Sequence, residues 1–184
     1  MTKGFAYIFI NLEQAVGFGH IGWGFLIEPE TYCFGSTDHL WRLDYPIWNL
    51  PELIRYLHVE AGKNIDFWRS TGSRDEMLHT MKSGAHVRYH LYKELEVEKA
   101  DPRLALARVD ETAEAGWDVL SNNCVHQSYR IITAYGAKLS SPGALTNRFP
   151  KTWFNTIGGE AKVLERSRGR IIIPSMTIRR RRAS

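Results

Sequence analysis

The sequence predicts an α+β domain, and three observations carry that expectation. Strand-like segments come first and mixed helix and strand follow, an order that favours α+β over a doubly wound sheet. Segments 19–27 and 31–34, joined through Pro29 and Glu30, read as a hairpin. No glycine-rich phosphate loop opens any predicted helix. At 184 residues and 43% hydrophobic, the chain is long and apolar enough for one domain with its own core.

The elements follow in order. Residues 5–11 are rich in strand formers and read as a buried strand. Residues 11–18 read as a loop, with a short turn available over 12–16. The hairpin of 19–27 and 31–34 follows, and 38–50 is irregular. Residues 50–62 predict a helix: Pro51 suits its first turn, Leu53, Ile54 and Leu57 share a face, and Gly62 ends it. Residues 73–83 predict a second helix, with Ser73 and Glu76 spaced as a capping box. Residues 85–97 read as a strand and 102–115 as a helix stopped by Gly116. Residues 123–135 predict the best-formed helix: Val125, Tyr129 and Ile132 share one face, Asn122 or Asn123 caps it, and Gly136 ends it. Residues 140–155 are mostly loop with short helical turns. Residues 170–178 read as an edge strand interrupted by Pro174.

Composition excludes several classes. Two cysteines, Cys33 and Cys124, are too few for a disulfide scaffold or a four-cysteine zinc site. The longest apolar runs fall far short of the ~20 residues of a spanning helix, and the first residues make a poor signal peptide. The expectation is a cytoplasmic chain without a membrane span. The net charge of +4 misleads, because residues 166–184 hold seven arginines and no acid, leaving −3 for 1–165. The expected organisation is one domain over 1–165 and a basic tail over 166–184. Two readings of the tail stand. One is a solvated end; the other is a nucleic-acid contact through Arg179, Arg180, Arg181 and Arg182. No aromatic residue is interleaved there for base stacking.

Cys124 stands out by position. It falls on the first turn of the predicted helix, where unpaired N–H groups and the helix dipole favour thiolate and offer an oxyanion hole. The plainer alternative is a small buried core residue. His20, between Gly19 and Gly22, is the first candidate base; the alternative is a hydrogen-bonded structural histidine. His126 is two residues from Cys124, a helical spacing that points it away. His86 and His90 share a face but lack a completing ligand, so neither metal nor cofactor is expected. His39, His58 and His79 read as structural or surface residues, and Cys33 as packing.

Two segments carry a resemblance. The first runs Phe9-Ile10-Asn11-Leu12, Gly19-His20-Ile21-Gly22 and Glu30-Thr31-Tyr32-Cys33-Phe34-Gly35. The second is Gly116-Trp117-Asp118-Val119-Leu120-Ser121-Asn122-Asn123-Cys124-Val125-His126. Together they resemble the PPPDE-type permuted papain-fold peptidases, the desumoylating-isopeptidase-like group. The second also resembles the related lecithin–retinol acyltransferase-like group. Both place histidine before cysteine, as here, 104 positions apart. Ser141-Pro142 and Asn147-Arg148-Phe149-Pro150 are similar to the loop after the cysteine helix. Two positions depart from the pattern. Thr31 separates Glu30 from Tyr32, and Gln127 stands where phenylalanine is usual. Residues 37–101 match nothing and read as an elaboration along one edge of the site.

The resemblance implies a permuted papain-like fold, with a small antiparallel sheet packed against the cysteine helix. It implies Cys124 as nucleophile and His20 as general base, with oxyanion or supporting roles for Asn122, Asn123 and Gln127. Glu30, Tyr32 and Ser36 are open as a third member; a plain Cys–His dyad is the expectation. The expected activity is cysteine hydrolysis of an amide or isopeptide bond in a protein or peptide, through an acyl-enzyme. Two alternatives are acyl transfer or thioester cleavage in a groove lined by Trp23, Trp41 and Trp48, and a non-catalytic binding module whose tail contacts nucleic acid.

Overall fold

The computed structural model describes residues 2–38, 57–83, 88–143 and 149–164. In chain order its elements are β1 (Thr2–Asn11), a 3-10 turn (Ala15–Gly17), β2 (His20–Glu28), β3 (Thr31–Thr37), β4 (His58–Val59), β5 (Phe67–Gly72) and α1 (Arg74–Ser83). There follow β6 (Leu91–Ala100), α2 (Pro102–Glu114), β7 (Trp117–Asp118), α3 (Cys124–Ala134), α4 (Pro150–Thr156) and β8 (Lys162–Val163). The architecture is α+β. Six strands form one sheet in the order β5-β3-β2-β1-β6-β8, antiparallel at every pairing, and β4 pairs with β7 as a separate ribbon.

The central strand explains the layering. β1 is buried on both faces, which is why its sequence is a continuous apolar run rather than an alternation. Ala6, Ile8 and Ile10 join Ile21, Trp23 and Phe25 in a core with Val109 of α2, Val125, Ile131 and Ile132 of α3, and Trp153 and Phe154 of α4. Tyr7 and Phe9 join Phe34, Tyr89 and Tyr92 in a second core under Met77 and Met81 of α1. Burying each such large side chain contributes roughly 1.5–3 kcal/mol, so both layers are strongly held.

Local chemistry sets the helix starts. Ser73 and Glu76 form the capping box reciprocally: the Ser73 amide donates to Glu76 Oε2 at 2.7 Å and the Glu76 amide to Ser73 Oγ at 3.3 Å. Asp101 caps α2 by accepting the Leu104 amide at 3.0 Å, with Pro102 in the first turn. Of the two asparagines proposed for α3, Asn123 is the cap.

Several expected boundaries change. β1 begins at Thr2 rather than residue 5, and β3 runs to Thr37 rather than stopping at Phe34. The strand expected over 85–97 is β6, which starts at Leu91 and ends at Ala100; residues 85–87 lie outside the described residues. Of the helix expected over 50–62, Leu57 is helical and the rest of the described stretch is not. His58–Val59 is a strand because the β7 ribbon supplies its partner, and Gly62 takes φ +76° in a turn bonded to Glu114 O. Residues 50–56 of that segment, the edge strand of 170–178 and the tail of 166–184 lie outside the described residues. Strands β5, β7 and β8 had no counterpart in the sequence expectation.

Candidate functional site

The sheet register brings one end of four strands to a common level. Asn11 at the end of β1 pairs with His20 at the start of β2, and Ile10 pairs with Leu91 at the start of β6. β3, antiparallel to β2, ends beside them, so Ser36, Thr37 and Asp38 arrive next to His20. α3 lies on the core side of this end with Cys124 as its first residue. Gly19, at φ +92°, makes the entry to β2 possible. A side chain there would meet the Asn11 carbonyl.

His20 is 5% exposed. On one side it interacts with Cys124. On the other side Nε2 lies 2.9 Å from Ser36 Oγ and 3.2 Å from Asp38 Oδ1. Ser36 Oγ donates its own proton to Ile21 O at 3.1 Å, so it accepts from the ring. Both contacts therefore fix the proton on Nε2 and turn Nδ1, with its lone pair, toward the thiol.

Asp38 is the residue the sequence expectation missed. It is 4% exposed, and a carboxylate so buried needs donors. Oδ1 accepts from Tyr89 OH at 3.2 Å as well as from His20, and Oδ2 accepts from Trp68 Nε1 at 2.6 Å. Burial works against a charged His20. Cys124 and Asp38 beside it outweigh burial and push its pKa up to about 10. Burial and the same carboxylate hold the Tyr89 phenol well above its ordinary range. Of the third members considered, Ser36 reaches His20. Tyr32 stacks edge-on against Tyr7 instead, and Glu30 sits exposed on the hairpin turn.

The three supporting residues organise the approach to Cys124. Asn123 Oδ1 accepts the Val125 and His126 amides at 3.0 and 3.3 Å, and its Nδ2 donates to Val119 O at 2.9 Å. Asn122 donates to Gly116 O at 3.0 Å and accepts from Arg130. Gln127 donates to Gly116 O at 3.1 Å and to Asn122 O at 3.2 Å, and accepts from Thr37 Oγ1 at 2.6 Å. Their amide N–H groups are engaged at main-chain carbonyls.

Asp118 fixes the loop between β7 and α3. Its Oδ1 accepts from the Leu120 and Ser121 amides and from Ser121 Oγ, at 3.0, 2.8 and 2.8 Å, and its Oδ2 contacts His58 Nδ1 at 3.1 Å. Partial burial opposes its charge. The bonds from Ser121, His58 and Leu120 outweigh burial and hold its carboxyl at about 2.

The remaining candidates are placed elsewhere. His126 Nδ1 lies 2.8 Å from Asn123 Oδ1, at the cap. His90 accepts the Leu12 amide at 3.1 Å, and His86 and His39 lie outside the described residues. Cys33 is packed in the core, where burial pushes its thiol up to about 12. Trp23 is 1% exposed in the same core and lines no groove; Trp41 and Trp48 lie outside the described residues. No helix among the described residues is long and apolar enough to cross a membrane.

The chain matches no family model, no curated protein and no solved structure.

Proposed function

We propose that the chain is a cysteine hydrolase of permuted papain-like type, cleaving amide or isopeptide bonds in a peptide or protein. One observation carries the reading. His20 is held between the Cys124 thiol and the buried Ser36–Asp38 pair, in the tautomer that leaves Nδ1 to accept the thiol proton. The fold supports it: histidine on a strand precedes cysteine at a helix start, and that helix packs on an antiparallel sheet.

The chemistry follows. Nδ1 of His20 takes the Cys124 proton, and the imidazolium is stabilised by Asp38. The thiolate attacks the carbonyl carbon, and the Cys124 main-chain N–H together with the positive end of the α3 dipole stabilises the resulting oxyanion. Collapse breaks the C–N bond, and the imidazolium gives its proton to the departing amine. Water, deprotonated by Nδ1, attacks the thioester, releasing the acid and restoring the thiol. The reading thus uses a triad, Cys124, His20 and Asp38, in place of the plain dyad.

The test is Cys124 alkylation by iodoacetamide across pH in a Cys33→Ser background, with and without His20→Ala. The expected result is rapid alkylation well below the ~8.5 of a free thiol, lost with His20. Ordinary thiol kinetics indifferent to His20 would refute the proposal.

A further inference from the structure

Residues 37–101, which the resemblance leaves unassigned, supply Asp38 and also the two side chains that hold it. In the β3–β5 ladder Ser36 pairs with Trp68 and Thr37 with Phe67, and the Asp38 amide extends the ladder by donating to Asp66 O at 3.0 Å. Paired residues point to one face of a sheet, as do residues two apart along a strand. Ser36, Asp38 and Trp68 therefore share a face with Phe34, which packs in the core under Met77 and Met81 of α1. His20 and Gly22 lie on that same face of β2, because a side chain at Gly22 would meet Met81 and Tyr89.

Gly22 makes the arrangement possible. A Cβ there would lie 2.4 Å from Cε of Met81 and 2.9 Å from both Cζ and the hydroxyl of Tyr89. In its absence the Tyr89 ring lies over β2, with its centroid 6.0 Å from that of His20, and its hydroxyl reaches Asp38 Oδ1. The two carboxylate oxygens are held unequally. Oδ1 is shared between Tyr89 and His20, each at 3.2 Å. Oδ2 takes the Trp68 indole N–H at 2.6 Å and, among the described residues, no second side-chain donor. The Trp68 ring is itself set: its backbone is in the ladder, and it stands edge-on to Phe34 with centroids 6.3 Å apart. A carboxylate turns readily about its last torsion, so an anchored Oδ2 fixes where Oδ1 points.

We propose that Trp68 is a positioning residue of the hydrolase: by anchoring Oδ2 it aims Oδ1 of Asp38 at His20, with Tyr89 as the lesser second anchor. The proposal rests on the hydrolase reading, since the aim of Asp38 matters only to a histidine that must take the thiol proton. Trp68 touches neither Cys124 nor His20 in this account and acts through the carboxylate alone. The edge strand β5 thereby enters the reaction, although it lies on the far side of β3 from His20. Tyr89 counts for less because it competes with His20 for one oxygen, and the imidazole keeps that oxygen when the phenol is removed.

The experiment follows Cys124 alkylation by iodoacetamide across pH in the full chain with Cys33→Ser. Trp68→Phe, Tyr89→Phe, Asp38→Asn and the combination of Trp68→Phe with Asp38→Asn are compared, each checked for folding by circular dichroism. Trp68→Phe keeps an aromatic ring against Phe34 and removes the donor. It should slow alkylation at pH 6.5 about fivefold, with the loss closing above pH 9. Tyr89→Phe should cost about twofold. Added to Asp38→Asn, Trp68→Phe should change the rate by less than about twofold, since the charge it aims is already gone. A folded Trp68→Phe protein at the parental rate overturns the proposal. So does a loss equal at every pH, or one that multiplies in full with that of Asp38→Asn. Where Trp68→Phe fails to fold, the Trp68 indole N–H resonance of nitrogen-15-labelled protein decides. It should lie downfield in the parent and move upfield in Asp38→Asn; an unmoved resonance overturns the proposal. A Cys124 that reacts as an ordinary thiol, with or without His20, removes the hydrolase reading itself.

Discussion

At the scale of single residues, Asp38 decides how His20 behaves. A buried carboxylate with donors from His20, Tyr89 and Trp68 is a fixed negative charge, and it favours the imidazolium. Cys124 and Asp38 raise the pKa of His20, so proton transfer from the thiol to the ring is favoured. Replacing Asp38 by Asn keeps the shape and removes the charge, which lowers that value and depletes the ion pair near neutrality. Asp38→Asn should therefore slow Cys124 alkylation at pH 6.5 by about tenfold, the equivalent of one pKa unit. The loss should shrink above pH 9, where any thiol ionises; a uniform loss at every pH would mean that Asp38 is structural. Ser36→Ala should cost less, since Asp38 still fixes the Nε2 proton. Sequence alone pointed to Cys124 and His20 because a helix start and a glycine-flanked strand are local features. Asp38 escaped notice because it reads as the first residue of the irregular 38–50 segment, past the end of the 31–34 strand. It is buried only because Tyr89 and Trp68, distant in sequence, close over it.

At the scale of elements, the loop from β7 to α3 is the part most sensitive to substitution. Gly116 takes φ +71°, and a methyl group there would meet Val59 O at 2.2 Å, so Gly116→Ala must break the β4–β7 ribbon or shift the loop. A loss of about 3 kcal/mol is expected in urea unfolding. Asp118 supplies the loop's charge. Its carboxyl is held at about 2, below the ordinary 3.8, so the stability it contributes is present above pH ~4. That contribution is lost as pH falls from 4 toward 2. Asp118→Asn should flatten the acid limb of the stability profile; an unchanged limb would remove the loop from the account. The elements legible beforehand were those with a strong local pattern: β1, the β2–β3 hairpin, the boxed α1, α2 and α3. β5 was not legible because an edge strand burying one side weakly, Phe-Trp-Arg-Ser-Thr-Gly, lacks a clean alternation. The two-residue ladders β4, β7 and β8 have no period at all and exist through their partners.

At the scale of the whole molecule, His20 and Cys124 come from two distant stretches of chain, and the hydrogen bond between Thr37 and Gln127 helps to tie these together. Thr37, next to Asp38 and one residue from Ser36, donates to Gln127 Oε1 at 2.6 Å; Gln127 lies one turn along α3 from Cys124. Both groups are buried, Thr37 at 2% and Gln127 at 2%, so loss of Thr37 Oγ1 takes the donor from Gln127 Oε1 in the core, and loss of Gln127 leaves Thr37 Oγ1 with the long contact from Asn64 Nδ2 at 3.5 Å. The bond links α3, which carries Cys124, to β3, whose end flanks His20. Thr37→Val and Gln127→Leu should each cost about 1–3 kcal/mol in urea unfolding. The double variant should cost less than their sum, a coupling of roughly 1 kcal/mol or more. Reactivity should follow the same cycle. Either single change should bring Cys124 alkylation at pH 6.5 toward that of His20→Ala, under conditions where circular dichroism shows the protein folded. The second change should then add little. Additive stability losses with unaltered alkylation would mean that the two halves hold their spacing without this bond, through the core of Ile21, Trp23, Val125 and Ile131 beneath it.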